Sequence, residues 1–172
     1  NDVADFSCEA GGEVLFTGRE SCYALMGQYY MPLVVAWCKI YRHEIVLNNP
    51  FPVGRIHEDE ATTCKFFYAA NRVVLCKDRL YGYYMNPNSI TQDGKTSDYT
   101  KRLWGLTARA EFLESVSETA LANKAWSICV RYLVNEVLCQ RKKLSDIVFT
   151  FINEHKLWKR LDLKTYVKVL DT

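Results

Sequence analysis

The spacing of apolar and polar positions in the first part of the chain predicts helices and short strands in alternation. Thr17 precedes Glu20 by three residues, a spacing typical of a capping box, and predicts a helix that runs to about Gln28. From Leu33 to Tyr41 the chain is rich in valine and aromatic residues, which predicts a buried strand. Residues 48–54, with their Asn, Pro and Gly, predict a loop.

A second helix is predicted from Glu58 to about Asn71, because one face recurs at helical spacing and the first turn is acidic, as the helix dipole favours. Arg72 to Cys76 and Leu80 to Met85 predict two short strands. The first part of the chain is therefore expected to mix α and β structure. The recurring helix positions are Ala61, Cys64, Phe67, Tyr68 and Asn71.

The second part predicts only helices, at about residues 97–121, 123–142, 145–156 and 162–170. Polar, turn-forming residues at 91–98 separate the two parts. We therefore expect a first domain at residues 1–92, a linker at 93–98 and a helical tail at 99–172. The second of these helices has an apolar face that we expect to pack in the interior, formed by Ala125, Ile128, Cys129, Tyr132 and Leu133.

Composition limits the classes of function. Of the 172 residues, 49% are hydrophobic and 13% aromatic, which is enough for a packed core and excludes a disordered or collagen-like chain. The formal charge of +2 is too mild for the concentrated basic face of a nucleic-acid-binding protein, so no nucleic-acid partner is expected. No apolar run approaches the roughly 20 residues that span a bilayer, and no secretory signal is visible, so we expect a cytoplasmic chain.

Charge is distributed unevenly along the chain. Residues 1–60 contain 4 basic and 9 acidic residues, whereas residues 123–172 contain 10 and 5. A basic helical face gains about 1 kcal/mol per Lys or Arg close to anionic lipid, which would allow peripheral membrane contact through the tail. An ordinary solvated face explains the same residues.

The seven cysteines do not form a recognisable disulfide framework, because their number is odd, their spacings are irregular and no Cys-x-x-Cys occurs. Cys38 and Cys76 lie in apolar runs, where a free cysteine is expected to behave as a small core hydrophobe. The three histidines are scattered without ligand spacing, so no zinc site is expected and no residue is assigned as a metal ligand.

The acidic turn Glu58-Asp59-Glu60, which follows His57 and opens a predicted helix, is the strongest candidate for chemistry. Neighbours on a helix point about 100° apart, so one carboxylate can reach into a cleft while the next caps the helix. A single carboxylate at a cleft is enough to accept a hydroxyl proton as a general base. Acidic first turns are also common in helices that have no catalytic role.

Short motifs surround this turn in a defined order. Trp37 to Arg42 reads Trp-Cys-Lys-Ile-Tyr-Arg, Phe51 to Gly54 reads Phe-Pro-Val-Gly, and Glu58-Asp59 begins a helix; Leu80 to Tyr83 and Asn88 to Thr91 follow. The whole run resembles the C-terminal half of the catalytic domain of glycosyltransferase family 2, the GT-A type nucleotide-sugar enzymes. Thr17 to Leu25 is similar to the helix that precedes the family's Trp-x-Lys segment.

The resemblance implies an inverting enzyme of bacterial glycan biosynthesis that transfers a sugar from a nucleotide diphosphate to an acceptor hydroxyl on a glycan, glycoprotein or lipid-linked acceptor. Asp59 would be the general base, and Glu58 would bond the backbone or an acceptor group. Trp37 would form an apolar wall for a sugar ring, and Lys39 would be a cation or donor. His57, Tyr84 and Asn86 would lie near the acceptor. Core packing or solvation is the alternative for Trp37, Lys39, His57, Tyr84 and Asn86.

One element of the family is absent from the sequence. Members carry a Rossmann-like half that ends in an Asp-x-Asp motif, whose carboxylates hold Mg or Mn against the diphosphate. No Asp-x-Asp occurs here. We therefore expect a partial GT-A domain of α/β type, α+β in this fragment, that lacks the nucleotide-binding half, binds no metal alone and is inactive in isolation. A C-terminal helical bundle would follow it.

A hypothesis of a different class remains open. The chain would be a non-catalytic interaction module whose helical bundle binds a protein partner, and Glu58-Asp59 would only cap a helix. The position of Asp59 separates the two hypotheses. If Glu58 and Asp59 line a concave pocket beside Trp37 and Lys39, the transferase is favoured, whereas an Asp59 that points to open solvent on a convex face favours the module.

Overall fold

The computed structural model describes residues 12–84, 86, 99–139 and 144–157. The chain divides between Asp98 and Tyr99 into two compact units, and the mixture of helices with a small antiparallel sheet is compatible with the expected α+β class. The first unit contains β1 (Glu13–Phe16), α1 (Gly18–Leu25), α2 (Tyr30–Val34), α3 (His43–Asn48), α4 (Glu58–Ala69) and β2 (Val73–Cys76). The second contains α5 (Tyr99–Ser115), α6 (Thr119–Cys139) and α7 (Leu144–Glu154).

The capping box at the start of α1 is confirmed. The Glu20 amide donates to the Thr17 hydroxyl at 3.3 Å, and Glu20 Oε2 accepts from the Thr17 amide at 2.8 Å. These bonds, the backbone bond first, lower the pKa of Glu20. The helix ends at Leu25, before the expected Gln28, because the amides of Met26 and Gly27 bond oxygens three residues back and tighten the last turn.

The start of α1 lies close to the end of α4. A Cβ atom on Gly18 would lie 2.2 Å from the main-chain oxygen of Ala70 and 2.5 Å from that of Phe67, so only glycine fits. The core of this unit lies where α1 and α2 pack on α4. There the Cys22 thiol donates to the main-chain oxygen of Cys64 at 3.4 Å.

The strand predicted from Leu33 to Tyr41 is wrong. Leu33 and Val34 end α2, and residues 35–42 are irregular. An apolar run alone does not distinguish a buried strand from a helix end. Here side chains bond the main-chain oxygens in place of a neighbouring strand: Lys39 Nζ donates to Val35, and the Tyr41 hydroxyl donates to Ala36 at 3.3 Å.

The helix predicted from Glu58 is confirmed as α4, and the predicted loop at residues 48–54 is confirmed after the unpredicted short helix α3. Val73–Cys76 confirms the first predicted strand and pairs antiparallel with β1, with Phe16 opposite Val73. The strand predicted from Leu80 to Met85 is wrong over residues 80–83, which form no ladder. Tyr81 and Tyr83 stack on Trp37 instead, and Tyr84 makes only an isolated bridge. Met85, residues 88–98 and the helix predicted at 162–170 lie outside the described residues.

The expectation that Cys38 and Cys76 are core hydrophobes is wrong, because both are exposed. Cys38 has a left-handed backbone (φ 61°) in an irregular segment, and Cys76 lies on the outward face of a two-stranded sheet. Cys22, Cys64 and Cys129 are buried free thiols. Apolar neighbours in the sequence therefore do not ensure burial.

The second unit is built on the pairing of α5 with α6 and of α6 with α7. The expected apolar face of α6 is buried at Ala125, Cys129 and Leu133 and half-buried at its other two positions. The predicted helix 97–121 ends earlier, at Ser115, because Ser117 has a left-handed backbone (φ 61°) that turns the chain. No helix in the described ranges has the length and apolar character needed to cross a bilayer.

Candidate active site

Asp59 occupies the second position of α4, where the loop from residue 49 ends in a strained turn. His57 has a left-handed backbone (φ 64°) and makes no side-chain cap bond. The Asp59 side chain is half-buried, and its Oδ1 accepts a 2.8 Å hydrogen bond from the Glu60 amide. No described residue donates a hydrogen bond to Oδ2. One carboxylate oxygen is thus held by the helix start, and the other is available to a ligand.

The environment of Asp59 disfavours its charged form. Burial raises the pKa of Asp59, and the charges of Glu60 and Glu58 raise it further. The Glu60 amide bond and His57 act in the opposite direction but do not cancel the rise. A carboxylate with a raised pKa is a stronger base than a solvated one.

Lys39 lies within electrostatic reach of Asp59. Burial lowers the pKa of Lys39 to about 8, while the electrostatic influence of Cys38 and Asp59 partly opposes that effect. The ammonium group donates to the main-chain oxygens of Val35 and, at 3.3 Å, Trp37. Its hydrogen bonds therefore hold the turn that carries Trp37, and its charge lies within electrostatic range of Asp59.

Trp37 forms the centre of an aromatic cluster. Its indole stacks on Tyr81 at a centroid distance of 5.1 Å and on Tyr83 at 4.7 Å, with interplanar angles of 19° and 22°. Tyr81 is 49% exposed, so part of the cluster reaches solvent. The motif that contains both tyrosines is apparent in the sequence, but their contact with Trp37 is not, because it joins segments more than forty residues apart.

Tyr41 and Phe51 pack the irregular segment at residues 35–42 and the following loop against α4. Both rings meet the buried Phe66 edge-on, with centroids 5.0 Å and 5.2 Å away. Burial raises the pKa of Tyr41, and the charge of Asp59 adds to that effect. Sequence reasoning gave Tyr41 no part in the site, although it follows Lys39 by two residues in the motif.

Sequence reasoning placed Glu60 in the acidic turn but, as for Tyr41, assigned it no part in the site. Glu60 is 2% exposed, and its Oε1 accepts a hydrogen bond from the Tyr30 hydroxyl of α2. No local signal distinguishes Glu60 from the exposed acids common at helix starts. Its burial depends on α2, which packs against α4.

The seven residues expected at the site are therefore not equally placed. Lys39 lies within electrostatic range of Asp59 and bonds the main-chain oxygen of Trp37. His57 and Glu58 are half-buried beside Asp59 at the start of α4. Tyr84 and Asn86 lie on the segment after Tyr83 and are exposed, and no described contact connects Tyr84 with Asp59. Within residues 12–84, 86, 99–139 and 144–157, no three His, Cys, Asp or Glu side chains group as metal ligands.

No protein-family model matches the chain, and neither a curated protein nor a solved structure shows significant similarity to it. The resemblance to glycosyltransferase family 2 therefore depends on the motifs themselves.

Proposed function

We propose that this chain carries the acceptor side and general base of an inverting, nucleotide-sugar-dependent glycosyltransferase of family 2 with a GT-A type domain. The observation that carries the proposal is the state of Asp59: it is half-buried, with Oδ1 held by the Glu60 amide and Oδ2 open. The charge of Lys39 lies nearby, and Trp37 lies beyond it. This arrangement supports a base better than a simple cap, since His57 is the N-cap residue and makes no cap bond.

In the proposed reaction, Oδ2 of Asp59 accepts the proton of an acceptor hydroxyl as its oxygen bonds to the anomeric carbon of the donor sugar. The bond from that carbon to the diphosphate breaks on the opposite face, and the diphosphate leaves with the electron pair. The hydroxyl becomes acidic only as the new bond forms, so a carboxylate held close to it takes the proton late. Attack from the opposite face inverts the anomeric centre.

The other residues have supporting parts in this proposal. Trp37 forms, together with Tyr81 and Tyr83 stacked on it, an aromatic wall for a sugar ring. Lys39 supplies a positive charge within electrostatic range of Asp59. Glu58 and His57 frame the base at the start of α4. Tyr84 and Asn86 lie toward the acceptor on the exposed segment after Tyr83.

Divalent metal is expected in the intact enzyme, where it would offset charge on the departing diphosphate. Glu58, Asp59 and Glu60 do not fit such a site. Glu60 is buried and accepts from Tyr30, and Asp59 Oδ1 accepts from the Glu60 amide, so their oxygens do not converge on one ion. The metal belongs to an Asp-x-Asp motif, which this sequence does not contain.

The test is transfer by the full-length gene product. Nucleoside diphosphate release is measured with a panel of nucleotide sugars, Mn²⁺ and saccharide acceptors. Asp59→Asn should lower the rate by about 10²- to 10⁴-fold, the usual contribution of a general base, while nucleotide-sugar binding is retained. Glu44→Gln, an exposed acid of α3, is the matched control and should leave the rate unchanged. Full activity of Asp59→Asn contradicts the proposal.

The interaction-module hypothesis has one observation in its favour. The second unit carries a groove of about 280 Å³ between α5 and α7, with Leu103, Trp104 and Phe151 in its lining. Under that hypothesis, Trp104→Ala abolishes the biological activity of the full-length protein and Asp59→Asn does not. The transferase proposal expects Asp59→Asn to be the inactivating variant.

A further inference from the structure

Glu60 is a buried acid at the start of α4, with an anchor on another helix. It is 2% exposed, and its Oε1 accepts a hydrogen bond from the Tyr30 hydroxyl of α2. A buried carboxylate is costly to keep unless it is hydrogen-bonded. The Tyr30 bond therefore fixes the position of Glu60 as well as reducing the cost of its burial.

Glu60 also acts on Asp59 through two separate groups. Its main-chain amide donates to Asp59 Oδ1 at 2.8 Å, which sets the orientation of that carboxylate. Its side-chain carboxylate places a second negative charge close to the first, and this charge raises the pKa of Asp59. The Thr63 hydroxyl bonds the Asp59 main-chain oxygen at 2.8 Å, so the first turn is held on both sides.

The other charged and titratable groups around Asp59 come from two segments. Glu58 and His57 precede it in the chain, the first raising and the second lowering the pKa of Asp59. Lys39 and Tyr41 face it from the irregular segment at residues 35–42. Among these groups Glu60 is the one that is buried and fastened to another helix.

We propose that Glu60, held by Tyr30, is a positioning residue for Asp59: its amide orients the carboxylate, and its buried side chain sets the electrostatic surroundings of that carboxylate. The inference rests on the proposed function for its catalytic meaning, but the coupling between the two acids does not depend on activity. If Glu60 is only structural, its isosteric amide leaves the titration of Asp59 unchanged.

The experiment is a carbon-13 NMR titration of the Asp59 carboxyl in the 172-residue chain. Glu60→Gln keeps the main-chain amide and an oxygen that accepts from Tyr30 but removes the charge. The Asp59 midpoint should move down by about 0.5 or more on the pH scale, as expected for two charges on neighbouring residues. Glu44→Gln removes an exposed charge from the same unit and should not move it.

Tyr30→Phe serves as a second variant if Glu60→Gln does not fold. Without the hydroxyl, the Glu60 side chain loses its anchor on α2 and is free to move away from Asp59, which should move the Asp59 midpoint down. An unchanged midpoint in a folded Glu60→Gln or Tyr30→Phe variant, judged by its amide spectrum, overturns the inference.

Activity of the full-length protein separates this inference from the proposed function. If Asp59 is the base, Glu60→Gln should move the acidic limb of the pH–rate profile to lower pH. If Asp59→Asn retains full activity while the midpoint still moves in Glu60→Gln, the two acids are coupled and the assignment of the base is wrong.

Discussion

The indole of Trp37 stacks on the phenol ring of Tyr83, with ring centroids 4.7 Å apart. This contact joins the irregular segment before α3, which also carries Lys39, to the chain after β2. Stacked aromatic pairs contribute about 0.5–1.5 kcal/mol beyond their buried area. A double-mutant cycle with Trp37→Leu and Tyr83→Leu should give a coupling free energy in that range, measured by denaturant unfolding.

The matched cycle pairs Trp37→Leu with Tyr29→Leu, because the Tyr29 ring packs on Phe16. Effects at residues that do not share partners usually add, so its coupling should be close to zero. Equal coupling in both cycles contradicts a specific contact between Trp37 and Tyr83.

Lys39 should make stability rise with pH. Its pKa falls to about 8 in the folded protein, below the value of 10.5 for a solvated lysine. Between these values the unfolded chain binds more protons than the folded one, so the free energy of unfolding rises with pH. Lys39→Met lacks this ionisation. The free energy of unfolding of the wild type should therefore rise relative to that of Lys39→Met between about pH 7 and about pH 10. Parallel stability profiles for the two proteins contradict the prediction.

Asp59→Asn should be at least as stable as the wild type at neutral pH. The pKa of Asp59 is raised on folding. Protonation of Asp59 therefore contributes to folded-state stability below the pKa of this group in the unfolded chain, and that contribution is lost as pH rises through its pKa in the folded protein. Asparagine keeps an oxygen for the Glu60 amide and never ionises. Thermal unfolding at about pH 7 should favour the variant, and the difference should shrink at about pH 3. If Asp59→Asn instead lowers the free energy of unfolding by about 1 kcal/mol at neutral pH, the Asp59 carboxylate acts as a stabilising helix cap.

Gly18→Ala should destabilise the first unit. The added Cβ would lie 2.2 Å from the main-chain oxygen of Ala70, so α1 and α4 must separate. Overpacking of this kind costs about 1–3 kcal/mol, measurable by denaturant unfolding. Gly27→Ala is the control, because its Cβ would meet nothing closer than 3.7 Å. Equal effects of the two substitutions contradict the close approach.

Elements whose signals lie within a few residues could be predicted from the sequence. The capping box needs only Thr17 and Glu20, and α4 needs only its own spacing and acidic first turn. The acidic turn at Asp59 is identifiable for the same reason. Hydrogen bonds between near neighbours need no distant partner, so a local pattern is enough to predict where they form.

The tertiary structure decided the features that depend on distant partners. The run from Leu33 to Tyr41 has the composition of a strand, but no strand among the described residues pairs with it, and Lys39 and Tyr41 bond its main-chain oxygens instead. Glu60 looks like an exposed helix-start acid until α2 places the Tyr30 hydroxyl on it. No short sequence pattern encodes burial or long-range contacts. These decide whether a charged group is solvated or buried and hydrogen-bonded, and they therefore set the direction in which the pKa of Asp59 shifts.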